Sequence, residues 1–193
     1  MKKRKEITLI ALAALTLLAA VSLPAWETPV TVQGHDGNLY QRPSIKFGPS
    51  GRAYMVFESR NQVTGRNDIY LRSYDGKNLS SVTNVTDGNP YSRSPYYPDI
   101  AVTKKEELHV VWVEYQRGAV SLAQYVKYRH FNGKTWGPIE SLATITLSDW
   151  CEDVRVAADD DNNVFAVVWD AKHGRVSFIS KYYGKQPNVS FPL

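Results

Sequence analysis

A chain of 193 residues with 43% hydrophobic content is ordinary for a globular protein of one or two domains, and its single cysteine, Cys151, excludes an intrachain disulfide. The formal charge of +4 is concentrated at the N-terminus: removing Lys2, Lys3, Arg4, Lys5 and Glu6 lowers it by three units, to +1. A nearly neutral remainder excludes the electrostatic footprint of a nucleic-acid or anionic-membrane partner.

The first element is a leader. Met1-Lys2-Lys3-Arg4-Lys5 precedes an apolar run from residue 7 to residue 21, broken only by Thr8 and Thr16, and Ser22-Leu23-Pro24-Ala25 follows. A cationic start, about 15 apolar residues and a small-residue exit are the three parts of a secretory signal. A membrane-spanning helix wants about 20 apolar residues, and Pro24 ends this run early. Residues 1–25 are therefore expected to be a signal peptide, cleaved after Ser22 or Ala25. The mature chain, 26–193, is then secreted or periplasmic, with no membrane attachment.

From there the pattern is strand. Residues 28–33 read as an outermost strand with no partner before it. Segments 43–57, 98–112 and 154–169 then align, the third one residue longer in its turn. Each has an alternating strand, a polar turn and an apolar strand ending in Phe57, Trp112 or Trp169, which is a hairpin pattern. A third strand follows at 69–74, 126–131 and 177–182, leading into Asp75-Gly76, Asn132-Gly133 and Tyr183-Gly184. Asp-Gly and Asn-Gly supply the positive φ of tight turns. Fourth strands are expected near 79–85 and 138–144.

The unit is thus a four-stranded antiparallel sheet recurring every 51 to 57 residues or so, with no helical periodicity after the leader. A two-layer sandwich would give no reason for the same strand order to recur. The predicted fold is all-β: about three β-propeller blades, at 34–87, 88–147 and 148–193. They form an incomplete ring, since propellers close with about four to eight blades. Either the chain is half of a longer six-bladed propeller, completed by C-terminal blades, or it is a half-ring that forms a homodimer.

Leu108-His109-Val110-Val111-Trp112, followed by Tyr128-Arg129-His130-Phe131-Asn132-Gly133-Lys134-Thr135-Trp136, resembles the repeats of sialidase-like β-propellers over about residues 28–193. That family's Asp-box reads Ser-x-Asp-x-Gly-x-Thr-Trp. Gly133, Thr135 and Trp136 fit it, whereas Arg129 and Phe131 stand in place of Ser and Asp. The resemblance implies an architecture. The family's set of arginines, acid/base Asp and Tyr/Glu nucleophile pair cannot be assigned here, so catalysis is not carried over.

The connections expected on one face of the ring concentrate aromatic, cationic and acidic residues. Arginines can form bidentate bonds to carboxylates, and Tyr and Trp rings stack on sugars. The candidate ligand residues are Tyr40, Arg42, Glu58, Tyr91, Arg93, Glu114, Trp150 and Asp170. Asp36-Gly37-Asn38-Leu39-Tyr40-Gln41-Arg42 and Asp87-Gly88-Asn89-Pro90-Tyr91-Ser92-Arg93 match at five positions, so their Tyr and Arg are either ligand contacts or structural. Glu58, Glu114 and Asp170 each follow the apolar second strand, at or one residue beyond the same position. A carboxylate pair 5–9 Å apart or so is the machinery of glycoside hydrolysis, but spacing is not readable from sequence. Asp159, Asp161 and Asn163 have calcium-loop spacing, yet a hairpin turn accounts for them without metal. No cofactor or metal is expected. Two functions remain: a non-catalytic module binding carbohydrate or another surface ligand, and part of a sialidase-like glycoside hydrolase.

Overall fold

The structure, a computed structural model, describes residues 28–33, 36–89, 93–116, 124–145, 151–170 and 174–182. The expected signal peptide, Tyr91, Trp150 and the Tyr183-Gly184 turn lie outside the described residues. The chain divides into Met1–Thr31 and Val32–Leu193. Of the first unit only residues 28–31 are described, without regular structure. Among the described residues no helix is long and apolar enough to cross a membrane.

The second unit is all-β and built of propeller-type blades. Eleven strands among the described residues form three sheets, each a simple meander. The first comprises β1 (Asn38–Phe47), β2 (Ala53–Asn61), β3 (Asn67–Tyr74) and β4 (Thr83–Asn84). The second comprises β5 (Arg93–Val102), β6 (Leu108–Gln116), β7 (Gln124–Phe131) and β8 (Glu140–Ile145). The third comprises β9 (Cys151–Ala158), β10 (Val164–Asp170) and β11 (Arg175–Lys181). The fourth strand of the first sheet is only two residues long, with a further bridge from Tyr74 to Leu79. The strand expected at 28–33 is absent from the described residues.

Three turns of one design join each first strand to its second. Gly48 N–H donates to the Arg52 carbonyl, Thr103 N–H to Glu107 and Asp159 N–H to Asn163, at 2.9, 3.0 and 3.1 Å. The fourth turn residue has positive φ each time: 80° at Gly51, 61° at Glu106 and 65° at Asn162. Asp159 spends its carboxylate on this turn, accepting from Asp161 N–H and Asn163 N–H.

Equal turns correct the sequence alignment. Phe47 pairs with Ala53, Val102 with Leu108 and Ala158 with Val164, so the third repeat has no longer turn. The residue equivalent to Phe57 and Trp112 is Val168, and Trp169 is one place further on. One residue of slip reverses the face of a strand. Trp112 is accordingly buried, while Trp169 is exposed.

The sheets stack through two apolar seams. The first joins Val56, Ile69, Leu71 and Val85 to Ile100, Leu108, Val110 and Trp112. The second joins Val111, Val113, Val126 and Tyr128 to Cys151, Val154, Val156, Val164, Ala166 and Val168. Each fully buried Val, Leu or Ile contributes about 1.5–3 kcal/mol, so stacking is the main source of stability for these short sheets.

Candidate functional site

The innermost strands β1 and β5 share a distortion. Their pairing with β2 and β6 slips between Gln41 and Ser44 and between Tyr96 and Asp99. Arg42-Pro43 and Tyr97-Pro98 occupy these bulges, with φ of 49° at Arg42 and 54° at Tyr97. A non-glycine residue in that region costs about 1–3 kcal/mol and persists only where its surroundings hold it. Bulges redirect side chains, and here they bring two bulged residues together. The Arg42 guanidinium lies 4.4 Å from the centre of the Tyr97 ring, a cation–π distance.

Glu58 locks the pair. One of its carboxylate oxygens accepts from Arg42 Nη1 at 2.7 Å, the other from the Tyr97 N–H at 2.6 Å. The side chain is almost wholly buried, and burial raises its pKa despite the opposing pull of the Tyr97 N–H and Arg42.

Beside this cluster, between β1, β5 and β9, is a cavity of about 520 Å³. Arg42, Lys46 and Arg155 bring cations to its wall, Asp99 and Asp153 acids, and Tyr97 and Trp169 aromatic rings. Asp99 ties the three inner strands together. It is buried in β5, accepts from Ser44 Oγ of β1 at 2.5 Å and from Val156 N–H of β9 at 2.8 Å. Arg155 Nη1 donates to Asp153 at 2.6 Å, and both are partly exposed. The arrangement offers guanidinium donors and an exposed indole, while its buried acid, Asp99, is held in place by a main-chain and a hydroxyl donor.

Of the sequence candidates, Arg42 is at the cavity and Glu58 directly behind it. Tyr40 faces the other side of the first sheet, where its hydroxyl donates to Asp36 at 2.6 Å and its ring meets Phe57 edge-on. Glu114 is buried in the first seam, bonded by Asn89 Nδ2 at 2.6 Å. Asp170 is buried at the end of β10 and accepts from Arg175 at 2.9 Å. Register makes Glu114 and Asp170 equivalent to each other and to Ser59, not to Glu58. Arg93 begins β5, and its side chain, like Tyr91 and Trp150, lies outside what is described. Sequence reasoning did not single out Asp99, Asp153, Arg155, Lys46 or Trp169 as candidates. The signal for Asp99 was present: it is the one charged residue in residues 95–102, which are otherwise apolar or aromatic.

Among the described residues no group of three or more His, Cys, Asp or Glu is placed to hold a metal ion. His109 and His130 stack at 4.7 Å, but their nitrogens face Tyr128, Asn162 and Glu107.

No family model matches the sequence, and no curated protein matches it. Among solved structures, the chain is similar to an α-L-arabinanase of Penicillium chrysogenum complexed with arabinobiose, at 10% identity and a TM-score of 0.48 over 75% of this chain and 58% of that one. It is also similar to a mannose phosphorylase from Leishmania mexicana in complex with a phosphate ion, at 13% identity and a TM-score of 0.47 over 81% of this chain and 46% of that one. A polysaccharide lyase follows, at 13% identity and a TM-score of 0.28 over 72% and 45%. The chain thus spans less than two thirds of each of these structures.

Proposed function

We propose that the chain is an exported, non-catalytic propeller module that binds a glycan in the cavity between β1, β5 and β9. The observation that carries this reading is the cavity wall, where the exposed Trp169 ring stands with the Arg42 and Arg155 guanidiniums. An indole face stacks on the apolar side of a sugar ring, and guanidiniums bond its hydroxyls or carboxylates. The buried acids nearby are structural in this reading: both oxygens of Glu58 and both of Asp99 already hold the bulges and inner strands.

One observation favours a second reading, a sialidase-like glycoside hydrolase. Burial raises the Glu58 pKa, as a proton-donating carboxyl requires. A glycan array and a panel of fluorogenic glycosides separate the two. Binding without turnover, weakened at least ten-fold by Trp169→Ala, supports the module. Turnover abolished by Glu58→Gln supports the hydrolase, and neither binding nor turnover removes both.

A further inference from the structure

The outer faces of the first and third sheets match, position by position, faces that the two seams bury. Val56 and Val111 are fully buried, whereas their equivalent Val167 is 40% exposed. Ile69 and Val126 are fully buried, whereas Val176 is 72% exposed, and Phe178, equivalent to the buried Leu71 and Tyr128, is 56% exposed. At the other end Ile45, equivalent to the buried Ile100 and Val156, is 51% exposed, with Phe47 beside it at 69%. Scattered apolar residues on a surface are normal, but these are contiguous on each face.

The first sheet is also finished as though another sheet preceded it. Arg129 of β7 donates through Nη1 to the carbonyl of Val85, at the end of the preceding sheet, at 2.7 Å. Its equivalent Arg72 donates through Nη1 to the carbonyl of Val32. Val32 therefore stands where the last strand of a preceding sheet would end.

The two open faces complement each other. Across the first seam Tyr54 donates its hydroxyl to Glu106, and across the second His109 meets Asn162 at the same two positions. At the open ends those positions hold Phe165 on the third sheet and Gly51 on the first, so polarity is lost from both halves of the joint together.

We propose that the outer face of the third sheet receives the outer face of the first sheet of a second copy of this chain, and reciprocally. Two identical contacts related by a two-fold axis then close six sheets, within the roughly four to eight that complete a propeller.

Sedimentation velocity on the full purified chain is expected to give the mass of two chains. Phe47→Lys and Phe178→Asp change side chains exposed in a single copy, so circular dichroism is expected to keep the strand signal of each. Either variant alone should weaken association at least ten-fold. Mixing them leaves one native seam and sets lysine near aspartate in the other, because the equivalents of these residues share a cluster in each existing seam. Pair formation should return. A one-chain mass at all concentrations, any mass other than two chains, a pair indifferent to both variants, or a mixture that fails to associate would each overturn the proposal.

Discussion

The two seams occupy equivalent positions on successive sheets and are filled differently. The first is built around the indole of Trp112 and branched aliphatics, the second around valines, Ala166, Cys151 and the Tyr128 ring. Their polar joints differ as well. Burial and the Glu106 carboxylate push the Tyr54 phenol up to about 12, so it stays a donor at any ordinary pH. At the second joint burial and the neighbouring His130 lower His109 to about 4, so the ring is neutral. It accepts from the Tyr128 hydroxyl through Nδ1 and donates to Asn162 through Nε2. One joint geometry thus sets a phenol on a carboxylate in the first seam, where bonds from Ser50 and Tyr54 lower the Glu106 pKa despite burial, and a neutral imidazole in the second.

The largest effect should come from the filler of the first seam. Trp112→Ala is expected to cost about 3–5 kcal/mol in urea unfolding, as a buried aromatic leaves a cavity. Trp169→Ala, one register step away on a face that is exposed in a single copy, should cost less than about 1 kcal/mol in the unfolding of one copy and show its effect on ligand binding instead. Equal losses at the two tryptophans would contradict the register.

Next comes the second joint. Because folding lowers the His109 pKa from 6.5 to about 4, the unfolded chain binds more protons in that window. Stability should therefore be complete above about pH 6.5 and fall by at most about 3 kcal/mol as the pH drops through 4. Glu107, Asp159, Tyr128 and His130 surround the ring, so the test is a difference: unfolding midpoints of His109→Phe against the parent between pH 7 and 4. Glu58 opposes this trend. Its folded pKa is raised by burial, so its contribution is present below the unfolded value of 4.5 and is lost as the pH rises.

A smaller loss is expected where the seams meet. Asp99→Asn keeps the shape but leaves one acceptor oxygen for two donors, Ser44 Oγ–H and Val156 N–H, and turns an amide toward one of them. The expected cost is about 1–3 kcal/mol, with hydrogen exchange at Val156 accelerated. Unchanged protection there would mean that Asp99 does not join the three sheets.

How far this was legible in the sequence follows from range. Strand alternation and turns such as Asp75-Gly76 and Asn132-Gly133 are local, so the meander and its recurrence could be read directly. Gly76 and Gly133 do have φ of 93° and 84°. Arg42 and Glu58 were legible as polar residues where a loop or strand end was expected. Trp169 was misplaced against Trp112 because aligning aromatic with aromatic hides a one-residue slip that only hydrogen-bond register reveals. Arg155 and Asp153 were passed over because nothing in their own segment says that β9 lies beside β1 and β5.

The smallest effects concern the residue of positive φ in each joint. Glu106→Gly would relieve about 1–2 kcal/mol of left-handed strain but remove the acceptor for Ser50 N–H, 2.8 Å away, and for the Tyr54 hydroxyl. Because these bonds are partly exposed, a net loss of about 1 kcal/mol is expected. Asn162→Gly should cost less, about 0.5 kcal/mol, since asparagine tolerates that conformation at little strain and loses a long contact with His109, at 3.4 Å, and a part-buried bond from Nδ2 to Glu107 at 2.9 Å. Gly48 allows the contrast to be checked from the other side. A Cβ there would lie 2.6 Å from the Glu106 carboxylate, so Gly48→Ala should destabilise the parent yet be tolerated in the Glu106→Gly background. Coupling of that kind in a double-mutant cycle places the energy of the first joint in the Glu106 side chain, and independence of the two changes would place it elsewhere.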